Sequence, residues 1–493
     1  MQPDDLPGHP DLVFSPAPAR LLRRRRTPGM APMAAPRARL LLEQQFVGSS
    51  ESDYWVRKVH RNIERDIRAT GELLRSGWSV VRFWADAVEK APQECAARVA
   101  AMLAGAERPS PFSAAATATT AEFFAGIGLM RLGLEQAGWH TVWANDHDPM
   151  KRAFYRHNLV DEEVTVDGRS IQDVPPRSVP RAGLISACFP CTDLSLAGAV
   201  RGLDAGPQSS AYLRFATILA ELGARRPPFV ILENVVGLIH SHAGKDFRLC
   251  LQRLADAGYR VDAVKIDAVH FVPQSRPRLF LMGVREDIAL TPCRTPAEAD
   301  ELRPPQLLGF MREHADLPWG IRPLPPLPER TLTLTDILED IDRADPVWWS
   351  AERVERLKNQ VSRRHRALVD MLLEKEGVVW ATAFRRMRHG RSMAELRFDG
   401  VAGCLRTPKG GSAKQILVRV DQEGWHVRLL TPRECARLMG AGDFRLDAPG
   451  TRGDDALFGF GDAVCVPAVE WLVRHYVNPL MAELLRGGLL APE

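Results

Sequence analysis

Cysteine is scarce in this chain, which has eight cysteines among 493 residues. So few thiols over such a length exclude a disulfide-stabilised scaffold and are typical of a reducing compartment. Only Cys188 and Cys191 have the C-x-x-C spacing, and no second pair completes the ligands of a four-coordinate zinc site. The sequence therefore predicts no bound metal.

Long apolar runs and a signal peptide are also missing. No uninterrupted apolar stretch is long enough to span a bilayer. The chain begins with Asp4 and Asp5 and without an apolar segment, so neither secretion nor membrane association is expected. A Gly-Lys-Ser/Thr phosphate-binding loop is absent too, which disfavours a P-loop NTPase. We expect a cytoplasmic protein.

The composition is that of a large globular protein, with 45% hydrophobic and 26% charged residues. A length of 493 residues predicts two or three domains. The net charge of +4 comes from residues 1–110, which contain 17 Lys and Arg against 13 Asp and Glu. Residues 1–50 are rich in Pro, Ala and Arg, and they contain a run of four arginines that begins at Arg23. We expect a poorly ordered basic segment that is either solvated or drawn to phosphate.

Residues 184–198 predict a buried strand that ends in a loop with a thiol. The apolar pair Leu184-Ile185 starts the strand, and Cys191 follows in the loop. Open α/β sheets bind ligands beyond the carboxyl ends of their strands, so Cys191 is the candidate nucleophile. Two alternatives stay open from the residues alone: a small buried core cysteine, and a redox pair with Cys188.

A doubly wound α/β pattern begins at residue 118. A strand leads into the turn Ala125-Gly126-Ile127-Gly128, and apolar residues then repeat at helical spacing over 129–138. Glycine allows the backbone to approach a ligand closely. A second strand ends in Asp146, about 20 residues downstream, where nucleotide-binding α/β folds place the acid that binds ribose hydroxyls. The pattern favours a cofactor that contains adenosine.

Two later segments place ionisable side chains on the same predicted sheet edge as Cys191. An apolar strand ends in the acid Glu233. Further on, Gln274, Arg276 and Arg278 alternate, so their side chains lean the same way from an extended segment. Each feature alone is common on a solvated edge, but a thiol, an acid and two guanidiniums together indicate a reaction site.

Residues 118–485 resemble the cytosine-5 DNA methyltransferases, because six segments occur in the order of that family's motifs. The resemblance implies a doubly wound, Rossmann-like α/β methyltransferase domain, formed by residues 118–290 and 428–485. It also implies a smaller, irregular target-recognition region at 291–427. The six segments are Phe124-Ala125-Gly126-Ile127-Gly128, Phe189-Pro190-Cys191, Glu233-Asn234-Val235, Gln274-Ser275-Arg276-Pro277-Arg278, residues 428–434 and residues 461–467.

The resemblance assigns the catalytic chemistry to four residues. Cys191 would add its thiolate to C6 of a cytosine, so that C5 can attack a methyl group. Glu233 would hold the N3 and N4 edge of the base and favour protonation of N3. Arg278 would bind the cytosine O2, and Arg276 would support the same edge. These contacts require that the base be flipped out of the duplex.

The resemblance also implies S-adenosylmethionine as the cofactor. Leu129 stands where many members have glycine, Ser170 where an aspartate is usual, and Asp462 where an asparagine is typical. Loss of one hydrogen bond at Ser170 would weaken binding by roughly 0.5–1.5 kcal/mol. The residues expected to bind the cofactor are Phe124, Ala125, Gly126, Gly128, Asp146, Ile171, Pro190, Asp462 and Ala463.

Basic and small residues within 291–427 are suited to contacts with phosphate and with a groove, although a solvated basic loop is the alternative. They cluster at 383–391 and 405–415. We expect double-stranded DNA as the substrate, a monomer at the nucleoid, and a cognate restriction endonuclease as a partner. The backbone of Phe189 would read the exocyclic amine of the base. The expected substrate-binding residues are Phe189, Gln274, Arg385, Arg386, Arg406, Lys409, Gly410 and Gly411.

The N-terminal segment carries a second, partial resemblance. Residues 6–14 and 54–84 are similar to the very-short-patch mismatch-repair endonucleases, and Asp11 falls where that family has a metal-binding aspartate. The histidines and the zinc-ligand cysteine of that family are missing. The resemblance therefore implies a degenerate nuclease-like segment over 51–110.

Together these features predict an enzyme that methylates C5 of a cytosine in a specific DNA sequence. The alternative is a sequence-specific DNA-binding protein on a catalytically weakened methyltransferase scaffold, as Leu129, Ser170 and Asp462 would suggest.

Overall fold

The computed structural model describes most of the chain from residue 118 onward. Short strands before residue 100 pair antiparallel in the order β2-β1-β3: β1 (Leu12–Phe14), β2 (Leu21–Arg23) and β3 (Ser79–Val80). Apart from residues 92, 93 and 96, the rest of the predicted basic and nuclease-like segments lies outside the described residues, as do Pro190, Cys191, Lys409, Gly410 and Gly411. The main described ranges are 118–159, 164–189, 209–288, 298–374, 377–388, 390–407, 414–452 and 455–487.

Seven of the described strands form one mixed sheet in the order β6-β5-β4-β7-β8-β10-β9. They are β4 (Thr119–Phe123), β5 (His140–Asn145), β6 (Thr165–Asp167), β7 (Leu184–Ala187), β8 (Phe229–Val235), β9 (Tyr259–Asp267) and β10 (Pro277–Arg285). Strands β4 to β8 are parallel, whereas β10 runs antiparallel to both of its neighbours. The strand order reverses between β4 and β7, and a crevice for a ligand forms outside the carboxyl ends at such a point.

Helices pack on both faces of this sheet. One apolar cluster joins the sheet to α3, α4 and α5, and a second joins the other face to α1, α11 and α12. The helices in chain order are α1 (Leu129–Gln136), α2 (Pro149–Leu159), α3 (Ser209–Glu221), α4 (Lys245–Asp256), α5 (Pro305–Glu313), α6 (Leu334–Ile337), α7 (Ala351–Gln360), α8 (Arg363–Leu373), α9 (Pro432–Leu438), α10 (Asp455–Asp462), α11 (Val466–Leu472) and α12 (Asn478–Gly487).

The C-terminal helices are more apolar than the sequence analysis allowed. By length and composition alone, the run Asp455–Leu484 could cross a membrane, contrary to the expectation that no such stretch exists. However, 67% of its most apolar window is buried inside the protein. Helix α11 packs directly on α1, where a Cβ added to Gly133 would lie 2.6 Å from Val469 Cβ. Burial in the core accounts for the apolar composition.

The region expected to be irregular contains a regular antiparallel sheet of order β12-β11-β13-β14. Helices α7 and α8 cover one face through an apolar cluster that includes Ala381 and Ala383. The other face packs against the larger domain through Leu417, which belongs to the same apolar cluster as Ile127 of the glycine turn. The strands are β11 (Val379–Arg388), β12 (Arg391–Arg397), β13 (Ile416–Asp421) and β14 (Gly424–Leu429).

A fully buried ion pair fastens the small sheet to α9. The Arg428 guanidinium donates two parallel hydrogen bonds of 2.6 Å to the carboxylate of Glu434. The same carboxylate accepts from the Thr431 backbone N–H, while the Thr431 hydroxyl accepts from the Glu434 N–H to cap the helix. The motif at 428–434 therefore serves the structure, because both charges are satisfied within the protein.

Candidate functional site

The glycine turn after β4 lies at the reversal point of the sheet. Phe124, Gly126 and Gly128 all have positive φ angles, of 54°, 59° and 93°. A Cβ added to Gly126 would meet only the Phe124 carbonyl at 4.0 Å, whereas one added to Gly128 would lie 2.1 Å from Leu159 Cδ1. Gly126 thus leaves room for a ligand to approach the backbone, and Gly128 allows α1 to start against α2.

Asp146 follows β5 and faces the same turn. Its Oδ2 accepts from the Gly126 N–H at 2.8 Å and its Oδ1 from the Asp148 N–H at 2.9 Å. Two backbone donors thus fix the orientation of a carboxylate at the crevice. The open backbone at Gly126, the oriented acid and the half-buried Phe124 ring supply the polar and apolar contacts that an adenosine group requires. These residues fit S-adenosylmethionine.

The remaining predicted cofactor residues lie on two further segments. Ile171 is buried in a short 3₁₀ turn, and Ser170 precedes it without a capping side-chain hydrogen bond. Asp462 ends α10, where its carboxylate pairs with Lys151 Nζ at 2.7 Å and accepts from the Thr407 hydroxyl. Burial opposes ionisation, but Lys151 and Thr407 together hold the pKa of Asp462 below its ordinary value. Asp462 is therefore a negative charge that the protein neutralises itself.

A buried polar cluster supports the glycine turn from within β4. The Glu122 carboxylate accepts from the Tyr155 hydroxyl at 2.8 Å, and Arg131 lies nearby, paired with Glu135 at 2.5 Å. Burial raises the pKa of Glu122 to about 8, against the favourable contacts with Tyr155 and Arg131. Glu122 therefore holds a proton at neutral pH.

This raised pKa predicts that the protein loses stability as the pH rises. Between about pH 4.5 and 8, the folded state keeps a proton on Glu122 that the unfolded state has released. The loss is about 1.4 kcal/mol per pH unit across that window. Glu122→Gln removes the titration, so urea unfolding should show the variant to be more stable than wild type at pH 8 and no more stable at pH 4.5. A wild-type advantage that persists at pH 8 would contradict this assignment.

Glu233 and Arg278 meet beside the end of β7. Arg278 is the second residue of β10 and lies opposite Val235, and its Nε lies 2.9 Å from Glu233 Oε1. The side chains are only 7% (Glu233) and 13% (Arg278) exposed. Burial raises the pKa of Glu233 in spite of Arg278 and Arg276. Because β7 and β8 are parallel neighbours, the segment that leads from β7 toward Cys191 leaves the sheet at the same edge.

The thiol of Cys188 lies next to this pair and is poorly suited to react. It hydrogen-bonds the Glu233 carboxylate, and burial followed by the Glu233 charge raises its pKa well above the ordinary value. A thiol must ionise to act as a nucleophile or as the attacking member of a redox pair. The environment of Cys188 therefore favours a packing role.

Gln274, Arg276 and Arg278 do lean the same way, toward Cys404 and Leu405. Gln274 Oε1 accepts from the Leu405 N–H at 3.0 Å, and its amide nitrogen donates to the Leu438 carbonyl at 2.7 Å. Arg276 donates to the Leu405 carbonyl at 2.7 Å, and Arg278 lies 3.9 Å from Cys404 Sγ. The sequence predicted that Gln274 and Arg276 lie on the open edge of the sheet. In the structure both are buried, so neither lies there. They hold backbone segments together, and Arg278 is the one of the three that forms the ion pair with Glu233.

The carbonyl of Phe189, predicted to read the amine of the base, is anchored to β8. Asn234 Nδ2 donates to it at 3.2 Å, and the Phe189 ring packs on Tyr212 at a centroid distance of 4.8 Å. A carbonyl oxygen has two lone pairs, so one acceptor position remains for a substrate. Asn234 therefore fixes the segment that leads to Cys191.

The predicted DNA-contacting arginines fall on different faces of the small sheet. Arg385 lies on the helix-covered face, 5.6 Å from the Trp349 ring. Arg386 lies on the opposite face, paired with Glu395 at 2.5 Å and placed over the Phe384 ring. Arg406 is exposed in the segment that follows Leu405. The two arginines adjacent in sequence therefore cannot serve the same groove.

Four residues near the site have no assigned role in the sequence analysis. Asn234 could have been found, because it directly follows Glu233 in a recognised motif. Lys151, Cys404 and Thr407 gave no local signal, since each contact joins segments more than 50 positions apart in the chain. Such contacts depend on the tertiary fold alone.

The sheet order, the reversed strand β10 and the glycine turn with its acid define a Rossmann-like methyltransferase fold. The family description "C-5 cytosine-specific DNA methylase" matches residues 118–478. This protein belongs to that family. The comparisons give no support to the endonuclease likeness of the N-terminal segment, since the matched region begins at residue 118.

Several characterised relatives are similar in sequence. Type II methyltransferase M.Bsp6I from Bacillus sp. (strain RFL6) is 35% identical over 34% of this chain and 51% of its own length. Type II methyltransferase M.NlaX from Neisseria lactamica is 27% identical over 73% of this chain and 96% of its own. DNA-cytosine methyltransferase from Escherichia coli (strain K12) is 26% identical over 73% and 78%. This chain thus spans about half of M.Bsp6I and nearly all of M.NlaX.

Proposed function

We propose that this protein transfers a methyl group from S-adenosylmethionine to C5 of a cytosine in a specific sequence of double-stranded DNA. The observation that carries the proposal is the buried Glu233–Arg278 pair, 2.9 Å apart, at the sheet edge where the Cys191 segment begins. An acid and a guanidinium in this arrangement match the N3–O2 edge of a cytosine. Family membership supports the same reaction.

Cys191 would act as the nucleophile. Carbon 5 of cytosine is a weak nucleophile, and addition of a thiolate at C6 converts the ring into an enamine that can attack through C5. The flipped base would receive a proton at N3 from Glu233, whose raised pKa keeps the carboxyl protonated at higher pH. Arg278 would bind O2, where negative charge develops during the addition. After C5 has taken up the methyl group, a base would remove the C5 proton; elimination of the thiolate and return of the N3 proton to Glu233 would then restore the ring.

S-adenosylmethionine would supply the electrophilic methyl group. Asp146 would bind the ribose hydroxyls, because two backbone donors already orient its carboxylate. The backbone at Gly126 would approach the cofactor closely, as its open side permits. Phe124 and Ile171 would supply apolar contacts with the adenine.

A methyl-transfer assay separates the proposed function from two alternatives, a catalytically weakened DNA-binding scaffold and a redox pair formed by Cys188 and Cys191. Tritiated S-adenosylmethionine and unmethylated duplex DNA should yield labelled DNA, and bisulfite sequencing of the product should show modified cytosines within one sequence motif. DNA binding without label would favour the catalytically weakened scaffold. Activity that depends on both Cys188 and Cys191 and on reductant would favour the redox pair, which the high pKa of Cys188 opposes.

The DNA would lie against the face of the small sheet that looks toward the larger domain. Thr382 pairs with Leu417 in the sheet, and Leu417 packs on the cofactor domain. Side chains alternate along a strand, so Phe384 and Arg386 share the face of Thr382. A duplex between the two domains would therefore meet Arg386 and not Arg385.

Adjacent arginines should therefore differ in their effect on DNA binding. Arg386→Ala is expected to weaken binding by about three- to tenfold and to reduce the salt slope by about one counterion. Arg385→Ala should leave both quantities within twofold, because its guanidinium packs on Trp349 under α7. Fluorescence anisotropy over a series of salt concentrations measures both. An equal loss in the two variants would contradict the assigned face.

A further inference from the structure

Lys151 contacts the cofactor-binding motif across a long separation in sequence. Its Nζ lies 2.7 Å from Asp462 Oδ2, 311 positions away, so the pair joins α2 to the end of α10. The Lys151 side chain is 20% exposed and that of Asp462 is 46% exposed. Helix α2 itself directly follows the segment of the ribose-binding candidate Asp146. The pair therefore links two parts of the same crevice.

Asp462 is held at both carboxylate oxygens, and its backbone neighbours are held as well. The Thr407 hydroxyl donates to Oδ1 while Lys151 occupies Oδ2. On the other side, the buried Arg276 guanidinium donates to the carbonyls of Gly461 and Ala463. The turn at 461–463 is thus fixed from α2, from the 401–407 segment and from the start of β10.

The aspartate at this position creates a charge requirement. It is the last residue of α10, where the helix dipole disfavours a negative charge. The asparagine expected from the family pattern would carry no charge. Lys151 supplies the compensating cation, and Asp146 and Asp148 favour its protonated form as well.

We propose that Lys151 is a positioning residue of the cofactor site. By neutralising Asp462, Lys151 allows an aspartate to occupy a cofactor-site position where the family typically has asparagine. Lys151 orients and neutralises Asp462 and thereby sets the backbone of 461–463. This inference rests on the proposed function, because it concerns the S-adenosylmethionine site. Lys151 and Asp462 act as an ion pair, so removing the charge of either residue is expected to impair the cofactor site by leaving the other charge uncompensated.

Binding of S-adenosylhomocysteine, measured by isothermal titration calorimetry on the full chain, tests the proposal. This probe lacks the sulfonium charge, so its affinity does not include attraction of the sulfonium to Asp462. Lys151→Met should weaken binding by about three- to tenfold. Lys151→Arg should bind within about twofold of wild type, and Lys151→Met combined with Asp462→Asn should recover to the same level.

Arg156→Met provides the matched control, since it removes an exposed cation from the same helix and should bind as wild type does. Wild-type affinity in Lys151→Met would overturn the proposal. Failure of the double variant to recover, with folding verified by its urea midpoint, would overturn it as well. If wild-type protein binds no S-adenosylhomocysteine, the cofactor assignment in the proposed function fails first and this inference fails with it.

Discussion

Glu233→Gln is expected to lower the rate of methyl transfer by a factor of about 10² to 10⁴. Glutamine matches the shape of glutamate and can still face Arg278, but it carries no transferable proton. Without protonation at N3, the ring is a poorer acceptor for the thiolate, and the effect appears in the chemical step. Affinity for DNA should change little, because Glu233 would meet only the flipped base, whereas the proposed contacts with the duplex lie on the small sheet.

The pH profile of the wild-type enzyme carries a second signature of the same residue. Burial raises the pKa of Glu233, so the protonated fraction at neutral pH exceeds that of an ordinary carboxyl. The single-turnover rate should fall on the alkaline side as this proton is lost. In Glu233→Gln, the residual rate should lack that fall.

Single-turnover transfer of a tritiated methyl group, measured beside DNA affinity, separates chemistry from binding. Glu221→Gln is the matched control, because Glu221 is 48% exposed at the end of α3, away from β8. A Glu233→Gln rate within threefold of wild type, with an unchanged pH profile, would remove Glu233 from the mechanism.

Arg276→Met is expected to lower both stability and methyl transfer, whereas Arg278→Met should lower methyl transfer with a much smaller loss of stability. Arg276 is 1% exposed and donates to the carbonyls of Leu405, Gly461 and Ala463. Removing the guanidinium leaves buried acceptors unpaired, at about 1–3 kcal/mol each before relaxation. We expect a total loss of about 3–5 kcal/mol, the range for breaking a buried polar network.

Urea unfolding of the two variants measures this difference directly. Arg278 pairs with the Glu233 carboxylate at the edge of the site and does not tie distant backbone segments together as Arg276 does, so its loss should cost much less stability. It should reduce methyl transfer through weaker stabilisation of O2. Equal unfolding midpoints for Arg276→Met and wild type would contradict the positioning role of Arg276.

Much of the larger domain could be predicted from sequence because its signals are local. Short apolar runs, the Gly126–Gly128 turn and Asp146 about 20 residues later each reflect one strand or one turn. By contrast, no local pattern in the sequence predicted that β10 pairs antiparallel with β8. Strand order depends on contacts between distant segments, and no periodicity records them.

The roles of Gln274, Arg276 and Arg278 show where such reasoning stops. Their alternation correctly predicts that they lean in one direction. It does not reveal that residues 404–405 occupy that side and bury two of the three. The antiparallel sheet over 379–429, within the region expected to be irregular, was missed for a similar reason, because its strands place side chains alternately on a helix-covered face and on a domain-facing one.

A departure from the family pattern can be compensated by a residue that the sequence motifs do not include. From the motif alone, an aspartate at position 462 predicts weakened cofactor binding. In the structure, Lys151 Nζ lies 2.7 Å from the Asp462 carboxylate and supplies a positive charge that compensates it. A substitution in one motif can therefore be offset by a residue that belongs to none.

Trapping of a covalent complex tests the central claim most directly. DNA in which 5-fluorocytosine replaces cytosine cannot release the enzyme after methylation, because fluorine at C5 cannot leave as a proton does. Wild-type protein with S-adenosylmethionine should give a protein–DNA complex that survives denaturation in detergent. Cys191→Ser should give none, and Cys188→Ser should give as much as wild type. A complex that persists in Cys191→Ser, or that disappears only in Cys188→Ser, would contradict the account.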